Sequence, residues 1–187
     1  MTKKGFSFPV KTLRKNLRPV RRVMTITKIT PLFISHQQLA VFNHGLDNPF
    51  NDWKPRHVSQ GFSWRAESVS FRVPEGENYI VEVLQNSEAS ALVGEPTRII
   101  LTPFVRIKDN SVTVGSITEE KRVSIGEAAK YQLFFELLAR GVHEWKQFEH
   151  GIRLRFVKDD NPVFEIRKAD NEMDVSSELE LVAQPAE

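Results

Sequence analysis

Two stretches of this sequence hold residue types from which catalytic or metal sites are built. The first, FISHQQLAVFNHGLDNPFNDW from Phe33 to Trp53, contains His36, His44, Asp47, Asp52 and Trp53. Imidazoles and carboxylates together would hold a divalent ion or relay a proton. On one extended strand, however, the two histidines stand ~26 Å apart at ~3.3 Å per residue, too far to share one ion. A bend at Gln37 or Gly45 would bring them together, so a metal-dependent enzyme using His36 and His44 stays open as an alternative. The second stretch, His143-Glu144-Trp145-Lys146-Gln147, opens like the HExxH zinc motif. That motif needs a second histidine four positions on, where Gln147 stands, and His150 is seven residues from His143.

Other chemistries lack their parts. Gly61-Phe62-Ser63-Trp64-Arg65 begins a GxSxG nucleophile elbow but carries Arg65 where the second glycine must avoid a collision. The nine glycines are scattered, with no GxGxxG or GxxxxGK loop to cradle a phosphate. With no cysteine there is no disulfide, thiolate zinc site or cysteine nucleophile. No cofactor is expected. Trp53, Trp64 and Trp145 would also suit a sugar-stacking platform, which makes a ligand- or sugar-binding module a further alternative.

Net charge is +2, but its distribution is uneven. Residues 1–24 carry eight Lys or Arg and no acid, residues 169–187 carry six acids and no Lys or Arg, and the middle holds eighteen of each sign. The expected organisation is a basic flexible arm at 1–24, one folded domain at 25–168 and an acidic, mobile tail at 169–187. The basic arm would meet phosphates weakly, without base readout, so no specific nucleic acid is expected as partner. No run approaches the ~20 apolar residues of a membrane helix, and the expected location is the cytoplasm.

A period of two dominates from Thr25 onward, which predicts strands. Val69, Phe71 and Val73 alternate with polar neighbours, and Tyr79, Val81 and Val83 resume after a turn at Pro74 to Glu77. Ile99, Leu101, Val105 and Ile107 share one face of a strand in which Pro103 should sit at an edge or bulge. Lys108 to Ser111 and Asp159 to Pro162 read as hairpin turns. Leu133, Phe135 and Leu137 oppose Phe134 and Leu138, as in a central strand packed on both faces. Only Asp52 to Gly61, with Asp52 as N-cap, and a turn around His143 to Phe148 look helical. The fold class predicted is all-β: an antiparallel β-sandwich of about eight or nine strands with one or two short helices.

The order of these features resembles the competence protein J family. The matching residues are His36, Gln37, Val41, Phe42, Asp52, Trp53, Gly61, Phe62, Ser70 and Phe71. Lys121-Arg122-Val123-Ser124 and Lys130-Tyr131-Gln132-Leu133 are similar to the family's second half, so the resemblance runs from about Thr27 to Phe156. The basic first 24 residues, the acidic tail and the loop Ala139 to Gly151 depart from the pattern. The resemblance implies a bacterial, non-catalytic immunity or inhibitor protein that binds a cognate nuclease or toxin, encoded by an adjacent gene, and blocks its active cleft. Asp47, Asp52, Glu75, Glu77, Asp109, Glu119 and Glu120 lie in predicted turns, from which carboxylates would reach a basic partner. Trp53 and Trp64 are candidate interface anchors.

Overall fold

A computed structural model describes residues 27–74, 78–86, 89–106 and 110–187. The basic arm expected at 1–24 and the turn residues Glu75, Glu77 and Asp109 lie outside the described residues. Two sheets face each other, as the alternation predicts. The larger has the order β1 (Thr27–Phe33), β5 (Asn78–Gln85), β12 (Gly151–Lys158), β9 (Ala129–Leu138), β6 (Pro96–Arg106), β13 (Glu165–Lys168). The smaller runs β3 (Phe62–Arg65), β4 (Ser68–Arg72), β2 (Gln38–Asn43), β7 (Ser111–Gly115), β8 (Glu120–Ser124). A separate two-stranded ribbon, β10 (Gly141–His143) and β11 (Lys146–Phe148), and the helix α1 (Pro55–Gln60) complete the described elements. Strand pairs are antiparallel except β5 with β12.

The core lies between the sheets, where alternate residues from both meet. Leu39, Val41, Val69, Phe71, Val112 and Val114 of the smaller sheet pack toward Val81, Tyr131, Leu133, Phe135, Ile152 and Leu154 of the larger. Phe71 stacks on Phe135 with ring centroids 4.3 Å apart, joining the sheets near their centre. Burying each such side chain contributes about 1.5–3 kcal/mol before chain entropy is counted.

Three expected connections turn out differently. β4 and β5, β6 and β7, and β12 and β13 are consecutive strands, yet none of these pairs is hydrogen-bonded. The first two connections cross from one sheet to the other. β13 instead pairs with β6 at the far edge of the larger sheet. Gln132 holds that return: its side-chain amide donates to Val163 O at 2.9 Å and to Thr102 O at 3.1 Å, and accepts from Val163 N at 2.8 Å. The turn predicted around His143 to Phe148 is a β-ribbon rather than helical, because Glu144 and Trp145 adopt φ of 46° and 68°. Along β6 the core residues are Ile100 and Phe104, opposite in phase to the face of Ile99 and Val105. Pro103 pairs only with β9, opposite Gln132, since β13 reaches no farther than Leu101.

β9 is central and covered on both faces, but its outer face carries charge. Arg153 lies directly across from Glu82 on one side and Glu136 on the other. Its guanidinium meets the Glu136 carboxylate, which also binds Arg155 at 2.5 Å. Glu82 is fully buried and accepts from Ser90 Oγ and from Ala91 N at 2.8 Å. Segment 89–93 thus supplies the remaining partners that buried carboxylates require.

The acidic segment 169–187, expected to be mobile, is seated as an extended strap. At its start Arg98, fully buried at the end of the core, donates Nε and Nη2 to the Asp170 carboxylate, each at 2.9 Å, and Nη1 to Arg72 O at 2.5 Å. Met173 and Leu179 pack against the core. The strap then follows α1. Asp174 N donates to Ser59 O at 2.8 Å, Gln60 exchanges two 2.9 Å bonds with the backbone of Glu180, and Arg56 spans the carbonyls of Asp174, Ser177 and Glu178. Ala183 N reaches Trp64 O on the free edge of β3 at 2.8 Å. The strap's acids therefore meet cations of the domain, which a count of tail charge alone does not show.

Replacing one partner of a buried ion pair strands the other charge. Arg98→Ala should lower stability by about 3–5 kcal/mol in denaturant titration. Asp170→Ala should follow it, with strong coupling in the double variant; additive, small effects would remove the clamp from this account. A second expectation concerns His57, which is fully buried in α1. Burial lowers its proton affinity, and the nearby Glu180 carboxylate only partly opposes this. The unfolded chain then binds the proton first, so this stability is complete above about pH 6.5 and declines as pH falls toward the lower folded value. Melting temperature should drop between about pH 6.5 and 5 and His57→Gln should flatten that decline; parallel profiles would refute the assignment.

Candidate functional site

The first stretch singled out in the sequence becomes a crossing between sheets. β1 leaves the larger sheet at Phe33, the chain turns through Ser35 to Gln38, and β2 enters the smaller sheet. Both central turn residues are left-handed, His36 at φ 56° and Gln37 at φ 54°. For residues with a Cβ this costs roughly 1–3 kcal/mol each, so the surroundings must impose it. Gln38 N donates to Ser35 O at 3.3 Å and Val73 N to Gln37 O at 2.8 Å, which fixes the turn against the end of β4.

Behind that turn lies an open cleft of about 250 Å³, lined by His36, Gln37, Gln38, Trp53, Val58 and Arg72. It sits over the smaller sheet, whose residues Ala40, Ser63, Ser68 and Ser70 are buried. Small side chains there let residues 44–60 pack close. Asn51 Nδ2 donates to Ser63 O at 2.8 Å and Ser68 O at 3.1 Å, and Ser63 Oγ to Asp52 O at 2.7 Å. The amide nitrogen of Gln38 and the indole nitrogen of Trp53 are buried with no hydrogen-bond partner among the described residues. Arg72 on the cleft wall is paired with Glu172, its Nη2 3.8 Å from the carboxylate.

His36 and His44 stand at opposite ends of β2, and His44 Nδ1 lies 3.1 Å from Thr113 Oγ1. The strand itself keeps them apart. Among the described residues no three His, Asp or Glu side chains gather as a metal ligand set would. The helix starts at Pro55 after Lys54, later than the Asp52 cap expected, because Pro55 is suited to the first helical position; Asp52 instead caps nothing beyond its neighbour Trp53 N. Gly61 ends it at φ 84°, where a Cβ would also come within 3.1 Å of Met173.

The other nominated residues divide. Trp53 lines the cleft, and Asp52 is exposed beside it. Trp64 is half-buried at the rim of the core: its ring packs edge-on to Phe164 at 4.9 Å and its Nε1 donates to Pro103 O at 2.6 Å. Glu119 and Glu120 lie at the β7–β8 turn, where Glu119 accepts from Phe33 N at 2.7 Å and pairs with Lys121 at 2.6 Å. Lys121 holds the Glu119 carboxyl below the usual carboxylate range, with the Phe33 N–H adding to the effect. That contact ties the β7–β8 turn to the β1–β2 turn. Asp47 is exposed in the loop beyond the other end of β2.

Exposed apolar residues mark the same end of the sandwich. Phe33 is 41% and Ile117 56% exposed, flanking Glu119 and Glu120. In register, Phe33 pairs with Asn78 and Gly151 with Ile80, so β11 and the ribbon enter at this end too. Neither Phe33 nor Ile117 is among the site candidates of the sequence, and both are out of phase with the core residues of their segments, Leu32 and Ile34 for the first and Val112 and Val114 for the second. What the end offers is a surface of apolar side chains, carboxylates and an open cleft, suited to contact with another macromolecule.

No helix of the described residues is long and apolar enough to cross a membrane. A comparison with curated proteins finds no match. Among solved structures, the chain is similar to "Crystal structure of ComJ, inhibitor of the DNA degrading activity of NucA, from Bacillus subtilis", with a TM-score of 0.61 and 19% sequence identity, over 73% of this chain and 99% of that one. The profile of the family Competence protein J (ComJ) matches residues 31–157. That span is well over half of the 187 residues, and the chain belongs to this family.

Proposed function

We propose that this protein binds a nuclease in the bacterial cytoplasm and blocks its access to DNA, acting as an inhibitor rather than an enzyme. The observation that carries this reading is the family membership, joined to a sandwich similar to that of an inhibitor of DNA degradation. The layout of the molecule supports it. The two histidines that would have served a metal enzyme are held apart by β2. The features that remain are contact features: Phe33, Ile117, Glu119 and Glu120 at one end, and Asp52, Trp53 and Val58 around the cleft.

A nuclease that grips DNA presents a basic path, and carboxylates on an inhibitor steer the encounter toward it. Glu120 and Asp52 are exposed and suited to this, whereas Glu119 is already held by Phe33 N and Lys121. The apolar side chains then supply the part of the interface from which water is removed. A stable inhibitor complex of this kind buries about 1,600 Å².

The test is reconstitution with the cognate nuclease, whose gene is expected next to this one. Added in equimolar amount, the protein should form a complex on gel filtration and stop plasmid degradation. Asp52→Lys with Glu120→Lys should slow association about tenfold at low salt and less at high salt. A protein that neither binds that nuclease nor protects the plasmid would contradict the reading.

A further inference from the structure

The His143-Glu144-Trp145-Lys146-Gln147 stretch has no place in metal chemistry, yet the structure gives it an unusual form. β10 and β11 make a short ribbon with Gly141 opposite Phe148 and His143 opposite Lys146. Its two-residue tip is Glu144-Trp145, left-handed at both positions. Tips of this kind strongly favour Asn-Gly, because a Cβ is crowded at positive φ. Here neither residue is glycine, and the indole of Trp145 is 99% exposed. Among the described residues no other large apolar side chain is so exposed.

The ribbon is held firmly at its base. Val93 and Val142 exchange backbone hydrogen bonds at 3.0 and 2.8 Å. Phe148 packs into a small apolar cluster with Leu92 and Leu138. Two glycines allow this closeness: a Cβ on Gly141 would come within 2.3 Å of Val93 O, and one on Gly151 within 2.5 Å of Phe148. A rigid base carrying a disfavoured tip and a solvated tryptophan is a way of presenting that side chain.

We propose that the β10–β11 ribbon is a docking finger, and that the Trp145 indole seats in an apolar socket on a protein partner, the nuclease of the reading above, on which this inference rests. Three observations select a protein. Charge near the tip is balanced, with Arg140 and Lys146 against Glu144 and Glu149, so it lacks the cationic excess that phosphate or an anionic membrane would need. The ribbon enters at the end of the sandwich that also exposes Phe33 and Ile117, so one partner surface would meet all three. Val93 and Val142, 67% and 38% exposed, extend the apolar contact down the ribbon. Tryptophan set within such a patch is the side chain that most often dominates protein–protein binding.

The experiment measures wild-type protein, Trp145→Ala and Trp145→Phe against the adjacent-gene nuclease and, separately, against a single-stranded oligonucleotide. Because Trp145 touches nothing in the fold, Trp145→Ala should melt with the wild type. Its dissociation constant for the nuclease should rise about 30-fold or more, mainly through faster dissociation, with Trp145→Phe between. Wild-type binding with an unchanged constant for Trp145→Ala would overturn the finger while leaving the inhibitor reading intact. Absence of wild-type binding would overturn both. An effect of Trp145→Ala on oligonucleotide binding or on self-association alone would also overturn it, in favour of base stacking or of a second copy of this chain.

Discussion

The guanidinium of Arg98 is the point on which the architecture closes. It projects from β6 of the larger sheet, bonds the Arg72 carbonyl of the smaller sheet, and clamps Asp170 where the strap begins. One cation thus joins three parts of the chain that are distant in sequence. Its burial demands those partners, because an arginine without them inside a sandwich would cost several kcal/mol. The strap that it anchors covers the free edge of β3 and places Met173 and Leu179 over the open side of the core. An exposed β edge is a template for unwanted pairing, and the strap removes it.

Burial of charge recurs on the opposite face of the larger sheet. Glu82, Glu136, Arg153 and Arg155 form a cross-strand network in which Arg153 faces both carboxylates by register and Arg155 reaches Glu136 diagonally, and Arg155 and Arg167 lie over the Phe134 ring at 5.1 and 5.5 Å. That face is occupied by its own residues and by segment 89–93. The family match ends at residue 157, before β13 and the strap. The edge closure described here is therefore built outside the part of the chain that the family defines.

Strands were legible because one face of each alternates with polar residues. Ile152, Leu154 and Phe156 point inward as the pattern requires, and β9 is central as its two-sided hydrophobicity suggests. β6 misleads because Arg98, Thr102 and Arg106 share the inward face with Ile100 and Phe104, so the polar residues suggest the wrong phase. Pairing between consecutive strands is not legible in the turn sequences, since a turn does not say which sheet, or which edge of the same sheet, receives the next strand. The strap was hidden for another reason: its docking depends on carbonyls that bind Arg56 and on backbone bonds to Gln60, and backbone groups leave no mark in composition. At the candidate site, His36, Gln37 and Trp53 were visible as family markers. The left-handed turns at His36-Gln37 and Glu144-Trp145 were not, because neither carries the glycine that usually announces such a turn.

Under the proposed function, contact is expected at the end where β1, β7 and the β10–β11 ribbon emerge. Phe33 and Ile117 expose apolar surface, Glu120 exposes charge, and two strained turns hold their side chains outward. Hydrogen exchange of the protein alone and in complex with the nuclease that the proposed function assigns to it tests this most directly. Amides at residues 33–38, 116–120 and 141–148 should become protected in the complex. Protection confined to the network face around Arg153 and Arg155, with that end unchanged, would contradict the account.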